Sequence, residues 1–272
     1  MLDGGLDQAS GLRRLFSRRA LRVLPVVSER DDAGATRFVT NLAAALARMG
    51  LQTIVVDGRR DGVAGLLGLR ATLDLADLLT ADLRVERVVL DCPQGFSVLP
   101  AAHGLPMLGA DPAAADAVFS ALAALGRGFE VALVHADGAT LGPLLGRADA
   151  ETTLVCGPED EDLTTVYARL KALVTGHGLS RFRVVFDRAD SPIAAASRHR
   201  RLASVAHRYL SACVEYGGLV LPDEAGAAGG RTRTEGFTVA AGGRAARSFE
   251  RIASAAREWH LPAFDRAGPT IH

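Results

Sequence analysis

A strand, a short polar segment and a helix follow one another near the amino terminus, and this order limits the possible folds. The largely apolar run 21–27 predicts a buried strand, and 52–57 predicts a second one. Between them, residues 36–49 have helical periodicity, with one apolar face formed by Phe38, Leu42, Ala45, Leu46 and Met49. A strand, a tight loop and a helix are the setting in which backbone N–H groups and a lysine bind phosphates. The frame therefore predicts a nucleotide-binding architecture.

The loop inside this frame has the opposite chemistry from a phosphate-binding loop. Its residues are Arg30, Asp31, Asp32, Gly34, Ala35 and Thr36, and we call them the vestigial loop. Ala35 stands at the position of the lysine, and Asp31 and Asp32 stand where glycines are expected. A carboxylate about 4 Å from a phosphate is repelled by about 1 kcal/mol in water and about 4 kcal/mol at an effective dielectric near 20. We expect ATP and Mg²⁺ binding to be lost and no nucleotide to be hydrolysed.

Two other interpretations of these substitutions remain open. In one, the changes leave the function of the loop intact. In the other, Asp31 or Asp32 caps the following helix, which stabilises a helix by roughly 0.5–2 kcal/mol and suits its dipole. The protein would then place its own anion where the anion of a ligand would bind.

Composition excludes several other classes of protein. The 272 residues are 49% hydrophobic, which suits one large domain with appendages. Lysine plus arginine equals aspartate plus glutamate at 31 each, so no overall charge favours nucleic acid. Three distant cysteines indicate a reducing compartment, and no apolar run reaches the roughly 18–20 residues of a membrane span. No His or Cys spacing predicts a metal site. We expect a soluble cytoplasmic protein without direct nucleic-acid binding.

The rest of the chain alternates between strand and helix patterns. After the second strand we predict helices at 73–80, 111–126, 160–174 and 191–210, and strands at 88–91, 96–99, 130–135, 152–156, 183–187 and 219–221. This alternation predicts an α/β fold, with a mostly parallel sheet covered by helices on both faces. We divide the chain into an N-terminal helix (1–20), the α/β domain (21–225), a flexible linker (226–243) and a C-terminal amphipathic helix with its tail (244–272).

With its flanking residues, the vestigial loop resembles the MinD/ParA family of deviant P-loop ATPases. That family has Lys-Gly-Gly-x-Gly-Lys-Thr in the loop, often followed by Asn-Leu-Ala. Here Arg30 replaces the first lysine, Gly34 and Thr36 remain, and 41–43 is Asn-Leu-Ala. The resemblance implies the MinD-like fold over roughly residues 20–225.

Two further positions depart from the family. After the second strand the family has Asp-x-Asp, and the chain keeps Asp57 but has Arg59 at the second position. The aspartate that the family associates with magnesium aligns with His135. By this resemblance, the lysine and both of these carboxylates are absent. If ATP is not bound, the ATP-sandwiched dimer of the family is not expected to form.

The amino-terminal segment resembles the activator helix of the FlhG (FleN, YlxH) group of flagellar-number regulators. In that group the helix binds FlhF, a GTPase of the signal-recognition type, and stimulates its activity. The resemblance implies that Gln8 lies nearest the nucleotide of the partner, beside Asp7, that Leu12 and Leu15 bury against the partner, and that Arg13 pairs with its acidic groups. The alternative is an ordinary amphipathic helix on its own domain.

The C-terminal segment 244–259 predicts a basic amphipathic helix. Such a helix can lie weakly on an anionic membrane surface, and MinD-like proteins carry a membrane-targeting helix at this end. It can equally pack on its own domain, and the sequence does not decide between the two. The candidate membrane-binding residues are Arg247, Phe249, Arg251, Ile252 and Trp259.

Three functional hypotheses follow from these patterns. The first is a regulator of flagellar number or placement that does not hydrolyse ATP and presents its N-terminal helix to an FlhF-type GTPase. The second is a divergent MinD-like ATPase that cycles on the membrane, at the inner membrane or the cell pole, with Arg30 as its phosphate contact. The third is an antagonist of a flagellar transcriptional activator. Flagellar switch proteins are further candidate partners.

Overall fold

The computed structural model describes residues 20–27, 33–60, 62–81, 83–125, 128–145, 150–158, 160–189, 191–223 and 242–264. Several predictions lie outside these ranges. They are residues 1–19 of the N-terminal helix with Asp7, Gln8, Leu12, Arg13 and Leu15, the loop residues Arg30, Asp31 and Asp32, and residues 226–241 of the linker.

The strands form one sheet in the order β3-β4-β2-β5-β1-β6-β7-β8. They are β1 (Leu21–Val27), β2 (Thr53–Asp57), β3 (Leu90–Asp91), β4 (Ser97–Pro100), β5 (Val131–Ala136), β6 (Thr152–Cys156), β7 (Arg181–Asp187), β8 (Cys213–Val220) and β9 (Ala263–Phe264). All pairings are parallel except that β3 is antiparallel to β4, and β9 is antiparallel to the start of β1. The predicted mostly parallel sheet is confirmed.

Helices cover both faces of the sheet. They are α1 (Ala33–Arg48), α2 (Val63–Leu66), α3 (Leu75–Thr80), α4 (Gly104–Ala110), α5 (Pro112–Ala124), α6 (Gly138–Leu145), α7 (Asp160–His177), α8 (Pro192–Leu210) and α9 (Arg244–Ala256). The alternation along β1 shows the two layers, since Leu24 and Val26 face one core and Val23 and Val27 belong to the other. Burial on both faces explains why the central strands are almost continuously apolar.

The C-terminal segment packs on the α/β domain. Helix α9 lies against α1 and β8, and the rings of Phe38 and Phe249 are 5.8 Å apart. Arg22 of β1 donates hydrogen bonds to the carbonyl oxygens of Ala256 and Trp259, at 3.1 and 2.9 Å. Helix α9 thus contributes to the core of the α/β domain, and β9 joins its sheet.

The element boundaries differ from the predictions in a few places. Helix α1 begins at Ala33, three residues before the predicted start, and α9 ends at Ala256. A 3₁₀ turn (Val85–Arg87) precedes β3, which keeps only two residues of the predicted strand 88–91. Within the described ranges, no helix is both long and apolar enough to span a bilayer.

Candidate functional site

The carboxyl ends of the parallel strands and the start of α1 meet at one edge of the sheet. Helix α1 follows β1, the central strand of the sheet, with β5 on one side and β6 on the other. Asp57 ends β2 and lies opposite His135 of β5 in the strand register, and Asp187 ends β7. Open α/β sheets bind ligands at this edge, in the crevice outside the carboxyl ends of the strands. The described part of the vestigial loop therefore lies where a nucleotide would be expected.

Asp57 is buried, and both oxygens of its carboxylate contact other groups of the protein. Its Oδ2 accepts a hydrogen bond from the backbone N–H of Ala64 at 3.0 Å. Its Oδ1 lies 3.4 Å from Nδ1 of His135. Gly62 approaches the carboxylate so closely that a Cβ at this position would collide with it. The carboxylate thus holds the segment after β2 against the end of the sheet.

His135 is completely buried beside Asp57. Its Nδ1 faces the carboxylate, and its Nε2 has no hydrogen-bond partner among the residues that the structure describes. Mg²⁺ prefers oxygen ligands in near-ideal octahedral geometry, and an imidazole does not replace a carboxylate in that set. The residues at this end of β2 and β5 therefore do not fit a magnesium ion.

The described first turns of α1 have no lysine at the position where one would contact a phosphate. Ala35, at the position of the lysine, is completely buried and belongs to the core formed with Phe38 and Leu42. Thr36 is buried as well, and its carbonyl oxygen accepts a hydrogen bond from Oγ1 of Thr40 at 2.8 Å. The side chain at the lysine position is thus an apolar part of the core, without a charge for a triphosphate.

Arg37 and Asp187 form an ion pair across this edge that the sequence analysis did not identify. Nη2 of Arg37, one turn into α1, donates to Oδ2 of Asp187 at the end of β7, and Nε of Arg188 lies 3.7 Å from the same oxygen. Burial raises the pKa of the Asp187 carboxyl, although Arg37 and Arg188 act in the opposite direction. Oδ1 of Asp187 is buried and has no hydrogen-bond partner within the described part of the chain.

A polar cavity of about 240 Å³ lies beside this ion pair. Its wall includes Gly34, Gly157, Asp162, Arg169, Asp187 and Arg188. A larger cavity of about 550 Å³ lies elsewhere, between β1, β9 and helices α4, α5 and α6, and its wall is mainly apolar. We assign the candidate site to the smaller cavity, because only that one adjoins the start of α1.

The other predicted site residues that the structure describes lie on α9 or just after it, and this helix packs against α1 and β8. Arg247 and Arg251 are exposed on α9. Phe249, Ile252 and Trp259, the apolar candidates for membrane contact, are buried, and the guanidinium of Arg183 lies 4.7 Å from the ring centre of Trp259. Nowhere in the described ranges do three or more His, Cys, Asp or Glu side chains form a group that could hold a metal ion.

Comparisons with known proteins agree on the fold. No family model matches the chain. The antiactivator FleN of Pseudomonas aeruginosa is 27% identical over 261 residues, which cover 94% of this chain and 93% of FleN. The cell division protein MinD of Aquifex aeolicus has a TM-score of 0.62 at 16% identity, covering 89% of this chain and 99% of MinD. The cell division ATPase MinD of Pyrococcus furiosus has a TM-score of 0.59 at 21% identity, covering 87% and 98%. The resemblance found in the sequence is confirmed: the chain is similar to FleN (FlhG) over nearly its whole length and has the fold of the MinD/ParA family.

Proposed function

We propose that this protein regulates flagellar number or placement by contact with other proteins and does not hydrolyse ATP. The observation that carries the proposal is the buried pair of Asp57 and His135 at the ends of β2 and β5. FleN is named as an antiactivator, and the similarity to it supports a regulatory role.

The pair of Asp57 and His135 argues against binding of a nucleotide with magnesium, because both carboxylate oxygens of Asp57 already contact groups of the protein. To bind an ion, Asp57 would have to give up the N–H of Ala64 and the ring of His135. A buried carboxylate that loses such partners is destabilised by about 1–3 kcal/mol or more. His135 cannot compensate with a second carboxylate.

Ala35 removes the other main attraction for a triphosphate. A lysine about 4 Å from a phosphate contributes about 4 kcal/mol at an effective dielectric near 20. The methyl group of Ala35 is instead enclosed by apolar side chains. Loss of the lysine and loss of the carboxylate act at separate positions, so one compensating contact would not restore binding.

Isothermal titration of the full chain with ATP-Mg²⁺ and ADP-Mg²⁺ tests this proposal. We expect no binding heat up to millimolar nucleotide. The double substitution Ala35→Lys and His135→Asp is a gain-of-binding comparison, and a MinD ATPase titrated in the same buffer is the positive control. Micromolar binding by the unmodified chain would reject the proposal and favour the divergent ATPase.

The first candidate contact is the FlhF-type GTPase. It rests on the sequence of residues 1–20, because this segment lies outside the described ranges. Adding the chain to such a GTPase should raise GTP hydrolysis, and Gln8→Ala should abolish the effect. Ser17→Ala is a matched control in the same segment. Equal stimulation by the Gln8→Ala variant would remove the activator assignment.

The second candidate contact is a flagellar transcriptional activator, and the name antiactivator given to FleN favours it. In a purified transcription assay, the chain should lower transcription that depends on the activator. Deletion of residues 1–20 separates the two candidates, because it should abolish GTPase stimulation and leave this inhibition unchanged.

A further inference from the structure

Exposed apolar side chains concentrate at one end of the sheet. Six large apolar side chains are exposed among the described residues, and four of them lie on α8 or β8. The exposed fractions are 81% for Ile193, 39% for Val205, 67% for Tyr209 and 37% for Tyr216. Because β8 is the last strand of the sheet, its outer edge has no neighbouring strand among the described residues. Ile193 and Tyr216 line a common groove, and exposed apolar groups that adjoin one another mark an interaction site more often than scattered ones do.

Two grooves give this end of the molecule a shape that can receive side chains. One groove, of about 380 Å³, lies between Ile193, His199, Arg200 and Tyr216. The other, of about 330 Å³, continues from Tyr216 towards α9, where its wall includes Pro192, Leu219, Arg251, Ile252 and Trp259. We call the two grooves and the exposed face of α8 the edge surface.

The charge of helix α8 is one-sided. Helix α8 contains four arginines, two histidines and no acidic residue. Arg198 is buried and donates to the carbonyl oxygen of Gly157 at 2.7 Å, whereas Arg200, Arg201 and Arg208 are exposed. Arg251 adds a fourth exposed cation at the second groove. Among the exposed residues of α8 and β8, Glu215 is the acidic exception.

We propose that the edge surface binds a segment of a partner protein that carries apolar side chains flanked by carboxylates. The grooves receive the apolar side chains, and the arginines pair with the carboxylates, which favours a complementary partner and raises its association rate. The proposal deepens the function proposed above and rests on it only in requiring action by protein contact.

Charge disfavours the other occupants that the chain itself offers. A second copy would bring another arginine-rich α8 against the first. The amino-terminal segment carries Arg13, Arg14, Arg18 and Arg19, so it too would be repelled. Nucleic acid would satisfy the arginines but leave the apolar grooves and Ile193 without apolar partners.

A selection from a random peptide library on the purified full chain tests the proposal. The selected peptides should carry excess aspartate and glutamate around spaced apolar residues. Their affinity, measured by fluorescence anisotropy, should fall about tenfold or more for Ile193→Ser and for Arg200→Glu. Met107→Ser and Arg48→Glu are matched controls at exposed positions away from the edge surface, and they should leave the affinity unchanged.

Three outcomes would overturn the proposal. In the first, the selected peptides show no acidic excess. In the second, they bind the Ile193→Ser and Arg200→Glu variants as tightly as the original chain. In the third outcome, a short DNA duplex binds with loss of affinity in Arg200→Glu but not in Ile193→Ser, which assigns the surface to nucleic acid. None of these results depends on nucleotide binding or on residues 1–20, so failure here is distinguishable from failure of the proposed function.

Discussion

Both carboxylate oxygens of Asp57 contact other groups within the fold. Its oxygens accept the N–H of Ala64 and face Nδ1 of His135, and Gly62 leaves room for this contact. Buried polar groups are retained where they are satisfied by the protein itself. Through these contacts Asp57, at the end of β2, holds β5 and the start of α2 in place.

Asp57→Asn should therefore lower the free energy of unfolding by about 1–3 kcal/mol, because the amide cannot accept with both of its polar atoms. Urea unfolding at pH 7 measures the change. Asp116→Asn, an exposed site on α5, is the control and should shift stability by less than about 0.5 kcal/mol. Equal midpoints for Asp57→Asn and the unmodified protein would show that the carboxylate contributes no stability.

The raised pKa of the Asp187 carboxyl predicts how the free energy of unfolding changes with pH. Its pKa in the folded protein is raised by burial above the ordinary value of 3.8, so the folded state holds its proton more tightly than the unfolded state. The resulting stabilisation is complete below pH 3.8 and is lost as pH rises through the folded pKa. We subtract the free energy of unfolding of the Asp187→Asn variant from that of the unmodified protein. This difference should be larger near pH 4 than at pH 7. Urea unfolding of both proteins across this range measures the difference, and a difference that grows with pH would contradict the assignment.

At the scale of elements, local signals predicted helices well where caps were present. Asp111 followed by Pro112 marked the start of α5, and the Asp111 side chain accepts from the N–H groups of Ala113 and Ala114. Ser191 likewise caps α8 through the N–H of Ala194. The sequence predicted both starts because these signals need only neighbouring residues.

Elements that depend on tertiary contacts were missed. Helices α4 and α6 contain glycine and proline, which disfavour an isolated helix, and they pack on each other. Strand β8 was predicted only at 219–221, since Gly217 and Gly218 interrupt its pattern, yet it pairs with β7 from Cys213 through a register shift. The sheet and the core supply what the local sequence lacks.

Helix α9 should be necessary for the stability of the domain. Phe249 is fully buried against Phe38, so Phe249→Ala should lower the free energy of unfolding by about 3–5 kcal/mol. Urea unfolding is the measurement, and the exposed Ser254→Ala is the control on the same helix. A loss below about 1 kcal/mol would indicate that α9 contributes little to the core.

The packing of α9 on the domain buries the apolar residues that were predicted to contact a membrane. Phe249, Ile252 and Trp259 could reach a bilayer only if α9 left α1 and β8, which would expose their partners to water. Membrane association through α9 stays a prediction. Pelleting with anionic vesicles, with and without Arg247→Glu at an exposed position of this helix, would test it.

At the scale of the whole molecule, the family resemblance named Asp57 and His135 as two separate positions. The register of β2 and β5 places them side by side. The pair of Arg37 and Asp187 was not predicted, because the two residues are 150 positions apart and neither has a local pattern that reveals the other. Only the order of the strands brings the end of β7 close to α1.

The last prediction concerns the oligomeric state. Assembly in the ATP-sandwiched dimer of the family requires nucleotide between the subunits, and a ligand stabilises a state only in proportion to its binding. If Ala35 and His135 prevent binding, ATP-Mg²⁺ has no affinity with which to shift the equilibrium between subunits and dimers. Light scattering during size-exclusion chromatography should therefore give the same mass with and without millimolar ATP-Mg²⁺, whether that mass is of one chain or two. A MinD ATPase in the same buffer should change its mass, and an ATP-dependent doubling for this protein would show that its site still binds the nucleotide.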